Sequence, residues 1–177
     1  MIKAKLIGLR ALENEDLVHL RDWRNLTDFR KHFREVRELS IKDQENWMTH
    51  LNQTRDKNFM FGIVRLRDGK LIGACGLLYV NWVIRSADFS FYIGENEEYI
   101  DNNGWANEAT QLLLEYGFNN LNLNKIWMEL YEFDQKKIQF FTKEFKFVQD
   151  GILRDNCFED GRYWNSVLIS LLRSEFN

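Results

Sequence analysis

The chain has 177 residues, 45% of them hydrophobic and 29% charged, and its formal net charge at pH 7 is −3. This length predicts one domain over residues 1–177 with a core of its own. The nearly balanced charge argues against a nucleic-acid partner, and no apolar run approaches the ~20 residues that cross a bilayer. The N-terminus has no leader-like pattern, so we expect a cytoplasmic protein without a membrane partner.

Two helical patterns interrupt the alternating strands in the first part of the chain. Alternation predicts a strand over residues 4–12, after which Asn14 is placed to cap a helix. Residues 24–39 mix basic and aromatic side chains without a clear period, which predicts a short helix or an irregular segment. Ser40, with Asp43 three residues later, has the pattern of a capping box and predicts the start of a second helix.

A hairpin comes next, followed by a central unit of strand, loop and helix. Strands over residues 59–66 and 71–80 flank a glycine-containing turn. Alternation in a further strand over residues 87–93 separates two sets of side chains, with Phe89, Phe91 and Ile93 on one face and Asp88, Ser90 and Tyr92 on the other. A helix starts near Trp105, and Gly117 predicts where it ends.

The last third of the chain continues the alternation of strands and helices. A strand is predicted over residues 125–131, and Asp134 opens another helix. Two final strands over residues 147–154 and 163–172 form a hairpin. The complete order is β, α, α, β, β, β, α, β, α, β, β, which predicts an α+β fold around one sheet.

The loop before Trp105 has the features of an anion site. Asn102, Asn103 and Gly104 tolerate left-handed backbone angles, so consecutive amides can turn inward. The first amides of a helix lack intrahelical partners and the helix dipole is positive there, which favours a phosphate. The alternative is an ordinary connection between a strand and a helix.

Five stretches of sequence carry a family resemblance, and they are R-D-W-R-N at 21–25, L-I-G-A-C-G-L at 71–77, R-S-A-D-F-S-F-Y-I-G at 85–94, G-W-A-N-E-A at 104–109, and L-N-K-I-W-M-E-L-Y-E-F-D-Q-K-K-I at 123–138 with the segment that follows it. In order and spacing they resemble the GNAT superfamily of N-acetyltransferases, and more narrowly its ribosomal-protein-alanine and amino-sugar branches. The resemblance implies a single-domain acetyltransferase-like fold. Its mixed, mostly antiparallel sheet has splayed central strands and is flanked by helices.

The resemblance also implies a reaction. An acetyl group would pass from acetyl-CoA to a primary amine by direct attack in a ternary complex, without a metal. The acceptor would be a small-molecule or peptide amine, with a protein N-terminus or an amino sugar expected first and a polyamine or aminoglycoside left open. The enzyme would be a monomer or a homodimer. The alternative is a degenerate member that binds a cofactor or a partner without catalysis.

The resemblance assigns the cofactor to two parts of the chain. The backbone of Phe91, Tyr92 and Ile93 would pair with the pantetheine arm, and one amide there would face the developing oxyanion. The pyrophosphate would be held by the amides of six consecutive residues, Asn102, Asn103, Gly104, Trp105, Ala106 and Asn107. Asp134 stands where the family usually has Asn, and Lys137 or its neighbour Lys136 is expected to reach the phosphates. The alternative for the two lysines is a solvated helix face.

Two departures from the family pattern concern function directly. Asp101 stands where Arg or Gln is usual, and a carboxylate beside a diphosphate is repulsive unless it points to solvent. Phe141 stands where many members carry the tyrosine that protonates the leaving thiolate, and a phenyl ring cannot donate a proton. Another acid, or water, would have to take that role.

The attacking amine arrives protonated, so the reaction needs a proton acceptor. Three carboxylates are alternative base candidates: Asp88, Glu129 and Glu95. A water relay is also open. The acceptor wall is expected in the segment between the first two helices, with four open candidates, Phe29, His32, Phe33 and Arg34. The histidines show no metal-ligand spacing, so no metal site is expected.

Overall fold

An eight-stranded sheet forms the centre of the computed structural model, which describes residues 1–176. The strands are β1 (Ile2–Lys3), β2 (Ile7–Arg10), β3 (Phe59–Arg65), β4 (Leu71–Asn81), β5 (Ser86–Ile93), β6 (Lys125–Tyr131), β7 (Val148–Glu159) and β8 (Arg162–Leu172). Their spatial order is β1-β2-β3-β4-β5-β6-β8-β7. Every neighbouring pair is antiparallel except β5 and β6. The predicted α+β fold with a mixed, mostly antiparallel sheet is therefore confirmed.

Five helices flank the sheet, and they are α1 (Asp16–Asn25), α2 (Thr27–Arg30), α3 (Ile41–Gln53), α4 (Trp105–Glu115) and α5 (Gln135–Gln139). Each of α4 and α5 continues into a π-turn of its own. The first covers Tyr116–Asn120 and the second Phe140–Glu144. The capping box at the start of α3 is confirmed, because Ser40 and Asp43 exchange side-chain and backbone hydrogen bonds. No helix within residues 1–176 is both long enough and apolar enough to cross a membrane.

The central strands β5 and β6 splay apart. Their parallel pairing covers three residue pairs and ends with Asp88 opposite Trp127. Beyond this point β5 continues to Ile93 beside β4, while β6 continues to Tyr131 beside β8. The two strands thus leave a gap between their carboxyl halves.

The alternation predicted for β5 separates two different environments. On one face Phe89 packs edge-on against Phe141, with ring centroids 5.2 Å apart, so this face meets α5 and its π-turn. On the other face Tyr92 packs against Trp23 and Phe33, so this face meets α1 and the segment that follows α2. Nearly all residues of β5 are buried, so both faces are covered by these elements.

Several sequence-based boundaries are wrong. Residues 4–12 form one strand in the prediction but contain only β2, while β1 lies before them. Asn14 does not cap α1, whose N-cap is Glu15 without a side-chain hydrogen bond. Gly117 does not end its helix, because the chain continues through the π-turn. The glycine is needed for close packing instead, since a Cβ there would lie 2.7 Å from Ile126 Cδ1.

Candidate active site

The gap between β5 and β6 is filled by four polar side chains, which we call the gap cluster: His32, Tyr99, Asp134 and Lys137. The Tyr99 hydroxyl donates to Asp134 Oδ2 at 3.0 Å, and Lys137 Nζ donates to the Tyr99 oxygen at 3.2 Å. His32 stacks on Tyr99 with ring centroids 4.5 Å apart, and its Nδ1 lies 3.3 Å from Asp134 Oδ2 without hydrogen-bond geometry. The cluster connects the α2 side of the sheet with the α5 side.

Burial sets the electrostatics of the gap cluster. Burial raises the pKa of Tyr99 well above its ordinary value, and the neighbouring Asp134 carboxylate adds to the shift. Burial also lowers the pKa of Lys137, although Asp134 and Asp88 oppose this. For Asp134 burial acts against ionisation, but His32 and Lys137 together outweigh it and hold its pKa below the ordinary value. The two buried charges are linked through Tyr99, which donates to Asp134 and accepts from Lys137, so each has the hydrogen-bond partner that a buried charge requires.

The edge of β5 that faces the gap already has internal partners. Lys137 Nζ donates to the carbonyl oxygen of Phe91 at 2.8 Å. The amide of Ile93 donates to the carbonyl oxygen of Tyr99 at 2.9 Å. Tyr92, between them, lies opposite Ala74 of β4. Of the backbone groups expected to pair with pantetheine, two are therefore occupied by the chain itself.

Asp101 fills the anion site predicted before α4. Its carboxylate accepts hydrogen bonds from the amides of Asn103 at 2.6 Å, Trp105 at 3.0 Å and Ala106 at 2.6 Å. The residue is only 5% exposed, so it does not point to solvent. Gly104 is the N-cap residue of α4 and has a left-handed φ of 88°. Asn102 and Asn103, which could also have adopted such angles, do not.

An open groove of about 460 Å³ runs between this loop and α5. Asn102, Gly104 and Asn107 line one side, and Lys136 and Lys143 line the other. Lys136 Nζ also donates to the Ile100 carbonyl at 2.6 Å and thereby ties α5 to the loop. The two lysines favour an anion such as a diphosphate in this groove, whereas the carboxylates of Asp101 and Glu144, which also line it, oppose one.

On the opposite side of the gap, two carboxylates hold one guanidinium. Arg34 Nη1 lies 3.3 Å from Asp88 Oδ2, and its Nη2 lies 3.4 Å from Glu129 Oε2. Asn156 donates to the other oxygen of Glu129 at 2.7 Å and fixes its orientation. Burial raises the pKa of Asp88, and the Arg34 guanidinium acts against this shift. The raised value brings Asp88 closer to what a general base requires.

Comparison with known proteins decides the family. Residues 7–143 match the acetyltransferase (GNAT) domain. The chain belongs to the GNAT family of acetyltransferases. It is 29% identical to the spermidine N(1)-acetyltransferase of Escherichia coli K12, over 99% of this chain and 91% of that protein. It is 28% identical to the Vibrio cholerae spermidine N(1)-acetyltransferase, over 96% and 95% respectively.

Solved structures agree with this assignment. A crystal structure of the Vibrio cholerae spermidine N-acetyltransferase in complex with CoA and spermine superposes with a TM-score of 0.86, at 26% identity over 96% of this chain and 97% of that one. Another structure of the same relative is dodecameric. The protein is accordingly an acyltransferase that uses acetyl-CoA. The expected narrower likeness to the ribosomal-protein-alanine and amino-sugar branches is not what these relatives show.

Of the three carboxylates predicted as base candidates, two lie close together and one lies elsewhere. Asp88 and Glu129 lie together, whereas Glu95 forms ion pairs with Arg65 at 3.1 Å and Lys70 at 2.7 Å near the β3–β4 turn. Glu95 is thus committed to a structural cluster, which argues against it as the base.

The four residues expected to line the acceptor wall also divide. Phe29 is only 2% exposed and packs on Tyr99, so the expectation that it is open is wrong. His32 belongs to the gap cluster. Phe33 lies under the Arg24 guanidinium, 4.0 Å from the ring centroid. Arg34 is the most open of the four, with half of its side chain exposed.

Two residues of this region escaped the sequence analysis. Tyr99 lies in a loop and has a left-handed φ of 60°, for which a tyrosine gives no local signal. Asn156 lies on the edge strand β7 and reaches Glu129 through the three-dimensional fold alone. For Lys137 the alternative of a solvated helix face is wrong, because the residue is 7% exposed.

Proposed function

We propose that this acetyltransferase transfers the acetyl group of acetyl-CoA to a primary amine of a small polycation of the polyamine type. The observation that carries the proposal is the pair Asp88 and Glu129, which already holds a cation, the Arg34 guanidinium. An acceptor with two ammonium groups can replace this guanidinium and satisfy the same carboxylates. The relatives that act on spermidine support this acceptor class.

In this proposal the two carboxylates have different roles. Asp88 ends the paired part of β5, at the point where the gap opens, and takes the proton from the attacking amine. Its raised pKa favours this role. Glu129 lies two residues beyond the last pairing position of β6, and with Asn156 it holds a second ammonium group of the acceptor. The cofactor carries the reactive thioester, and the protein supplies position and charge.

A panel of acceptors tests the proposal. The purified protein is mixed with acetyl-CoA and with spermidine, spermine, glucosamine or a peptide with a free N-terminus, and thiol release is measured. We expect the two polyamines to give the highest kcat/KM. A clear preference for the amino sugar or the peptide would contradict the polyamine proposal and restore the acceptor classes implied by the sequence resemblance.

Two observations favour a second candidate, a protein that binds acetyl-CoA without turnover. Asp101 occupies amides on which the cofactor is expected to rely, and Phe141 cannot act as an acid. Calorimetry with acetyl-CoA separates the candidates when it is run beside the acceptor panel. Binding with no thiol release for any amine would favour the second candidate, whereas turnover of any amine would exclude it.

A further inference from the structure

The reaction needs a proton at the leaving sulfur, and the chain lacks a tyrosine at position 141. Phe141 is fully buried and packs against Phe89 and Phe147, so the π-turn after α5 supplies only apolar surface there. Lys137 lies four residues earlier in α5, and both residues reach Phe91, Phe141 with its ring and Lys137 with its Nζ. Position 141 lacks a proton donor, and Lys137, four residues earlier, offers one.

Lys137 reaches the part of the gap where the thioester is expected. Its Nζ contacts the carbonyl oxygen of Phe91 at 2.8 Å, on the edge of β5 that faces the gap. The family resemblance assigns this edge to the pantetheine arm, so the cofactor must displace the lysine from Phe91. Nζ then loses one of its two hydrogen-bond acceptors and is free to turn toward the sulfur.

We infer that Lys137 is a catalytic residue, the general acid that protonates the CoA thiolate as it leaves. The inference rests on the acetyl transfer in the proposed function but does not depend on which amine is the acceptor. A second role follows from the same position. Before the carbon–sulfur bond breaks, the ammonium group adds positive charge beside the developing oxyanion.

The step balances in atoms and charge. The acceptor ammonium first loses one proton to Asp88, which passes it to solvent. The neutral nitrogen then forms a bond to the acetyl carbon and loses its second proton to Asp88, which again releases it to solvent. The carbon–sulfur bond breaks, its electron pair goes to sulfur, and sulfur takes a proton from Lys137 Nζ. The products are the N-acetyl amine and free CoA thiol. The neutral amine of Lys137 regains a proton from water after CoA leaves.

The surroundings suit a lysine to this acid role. Burial lowers its pKa toward that of a thiol, which brings donor and acceptor closer. The charged and titratable groups around it come from every adjoining element: Tyr99 from the loop after β5, Asp134 at the start of α5, Asp88 on β5 and His32 after α2. The negative charges of Asp134 and Asp88 favour the ammonium form and oppose the lowering of the Lys137 pKa by burial.

Two substitutions and their combination test the inference. Lys137→Met removes the donor and keeps an unbranched side chain of similar length, and Lys42→Met is the matched control on the exposed face of α3. We expect Lys137→Met to lower kcat by about 10²-fold, with acetyl-CoA binding unchanged or tighter and with a flattened alkaline limb of the pH profile. Adding Phe141→Tyr to Lys137→Met should restore at least a tenth of the lost rate, because a hydroxyl then takes over the proton transfer.

The outcomes separate this inference from the proposed function. A kcat for Lys137→Met within about twofold of the unchanged enzyme would overturn the inference alone. Lys137 found acetylated after incubation with acetyl-CoA would also overturn it, since an amide nitrogen cannot donate this proton. Loss of rate without rescue by Phe141→Tyr, together with a lower melting temperature than that of Lys42→Met, would assign Lys137 a structural role. No turnover of any amine by the unchanged protein would overturn the proposed function and this inference together.

Discussion

The cofactor loop and the acceptor face each hold an ion that belongs to the chain, but they hold it in different ways. Asp101 is 5% exposed and accepts three amide hydrogen bonds of 2.6 to 3.0 Å. Arg34 has half of its side chain in solvent, and its two contacts with carboxylates measure 3.3 and 3.4 Å. The internal anion is thus part of the folded framework, whereas the internal cation is a weakly held occupant.

Because the two internal ions are held differently, the acceptor and the cofactor diphosphate bind under different conditions. Arg34 is half exposed and its contacts with Asp88 and Glu129 are long, so a cationic acceptor that satisfies the same carboxylates can displace it. Each buried amide that loses the Asp101 carboxylate as its acceptor destabilises the protein by about 1–3 kcal/mol, unless another anion accepts its hydrogen bond. A diphosphate that enters the loop must therefore take over the amides of Asn103, Trp105 and Ala106, or bind beside Asp101 in the groove.

The largest effect is expected for Asp88, the proposed base on the acceptor face. Asp88→Asn should lower kcat/KM by about 10²–10⁴-fold, because the amine then has no positioned base. Burial raises the pKa of Asp88 above its ordinary value of 3.8, so the unchanged enzyme should lose activity as pH falls through that raised value. The variant should lack this acid limb. Thiol release measured across pH, with exposed Asp28→Asn as the control, checks both points, and a variant that retains more than about a tenth of the activity would contradict the base assignment.

A smaller effect concerns the framework. Asp101→Ala should lower the free energy of unfolding by about 2–3 kcal/mol, because buried amides at the start of α4 lose their acceptor. Saturating CoA should return part of this loss, since its diphosphate can bind the same amides. Urea unfolding with and without CoA measures both quantities, and exposed Asp22→Ala is the control. A loss that CoA leaves unchanged would mean that the diphosphate does not use these amides.

The smallest effect concerns the weakly held cation. Arg34→Met keeps the aliphatic stem and removes the guanidinium, so the KM for spermidine should fall a few-fold, by less than about 1 kcal/mol of binding energy. The gain should shrink as salt is added, because it is electrostatic. Initial rates at two ionic strengths test this, with Arg37→Met as the control three residues away. A higher KM in Arg34→Met would show that Arg34 contributes to acceptor binding instead of competing with it.

The fold was predictable because its signals are local. Alternation in β5, the capping box of Ser40 and Asp43, and the start of α4 at Trp105 each depend on a few neighbouring residues. The π-turn after α4 was not predictable, because Gly117 serves a close contact with Ile126 that no local pattern contains.

The candidate site was predictable only in part, since charged residues in a sequence give no sign of where they are buried. Lys137 follows another lysine in a short helix, which is typical of a solvated face. It is buried instead, where it donates to Phe91 and Tyr99 and lies near the charge of Asp134. Glu95 belongs to an acidic stretch of sequence, but Arg65 and Lys70 come to it from the β3–β4 turn. Contacts between residues distant in sequence decide both cases.

The short pairing between β5 and β6 also has a mechanical consequence. The line between β5 and β6 divides the sheet into a part of five strands, β1 to β5, and a part of three, and three residue pairs join the two parts through the sheet. This line is a seam, and under tension it should open before the longer ladders on either side. A cofactor seated in the gap would add bonds between the two parts and so stiffen the sheet along this line. The rigidity of the sheet at this seam therefore depends on whether a cofactor is bound in the gap, as well as on the pairing of β5 with β6.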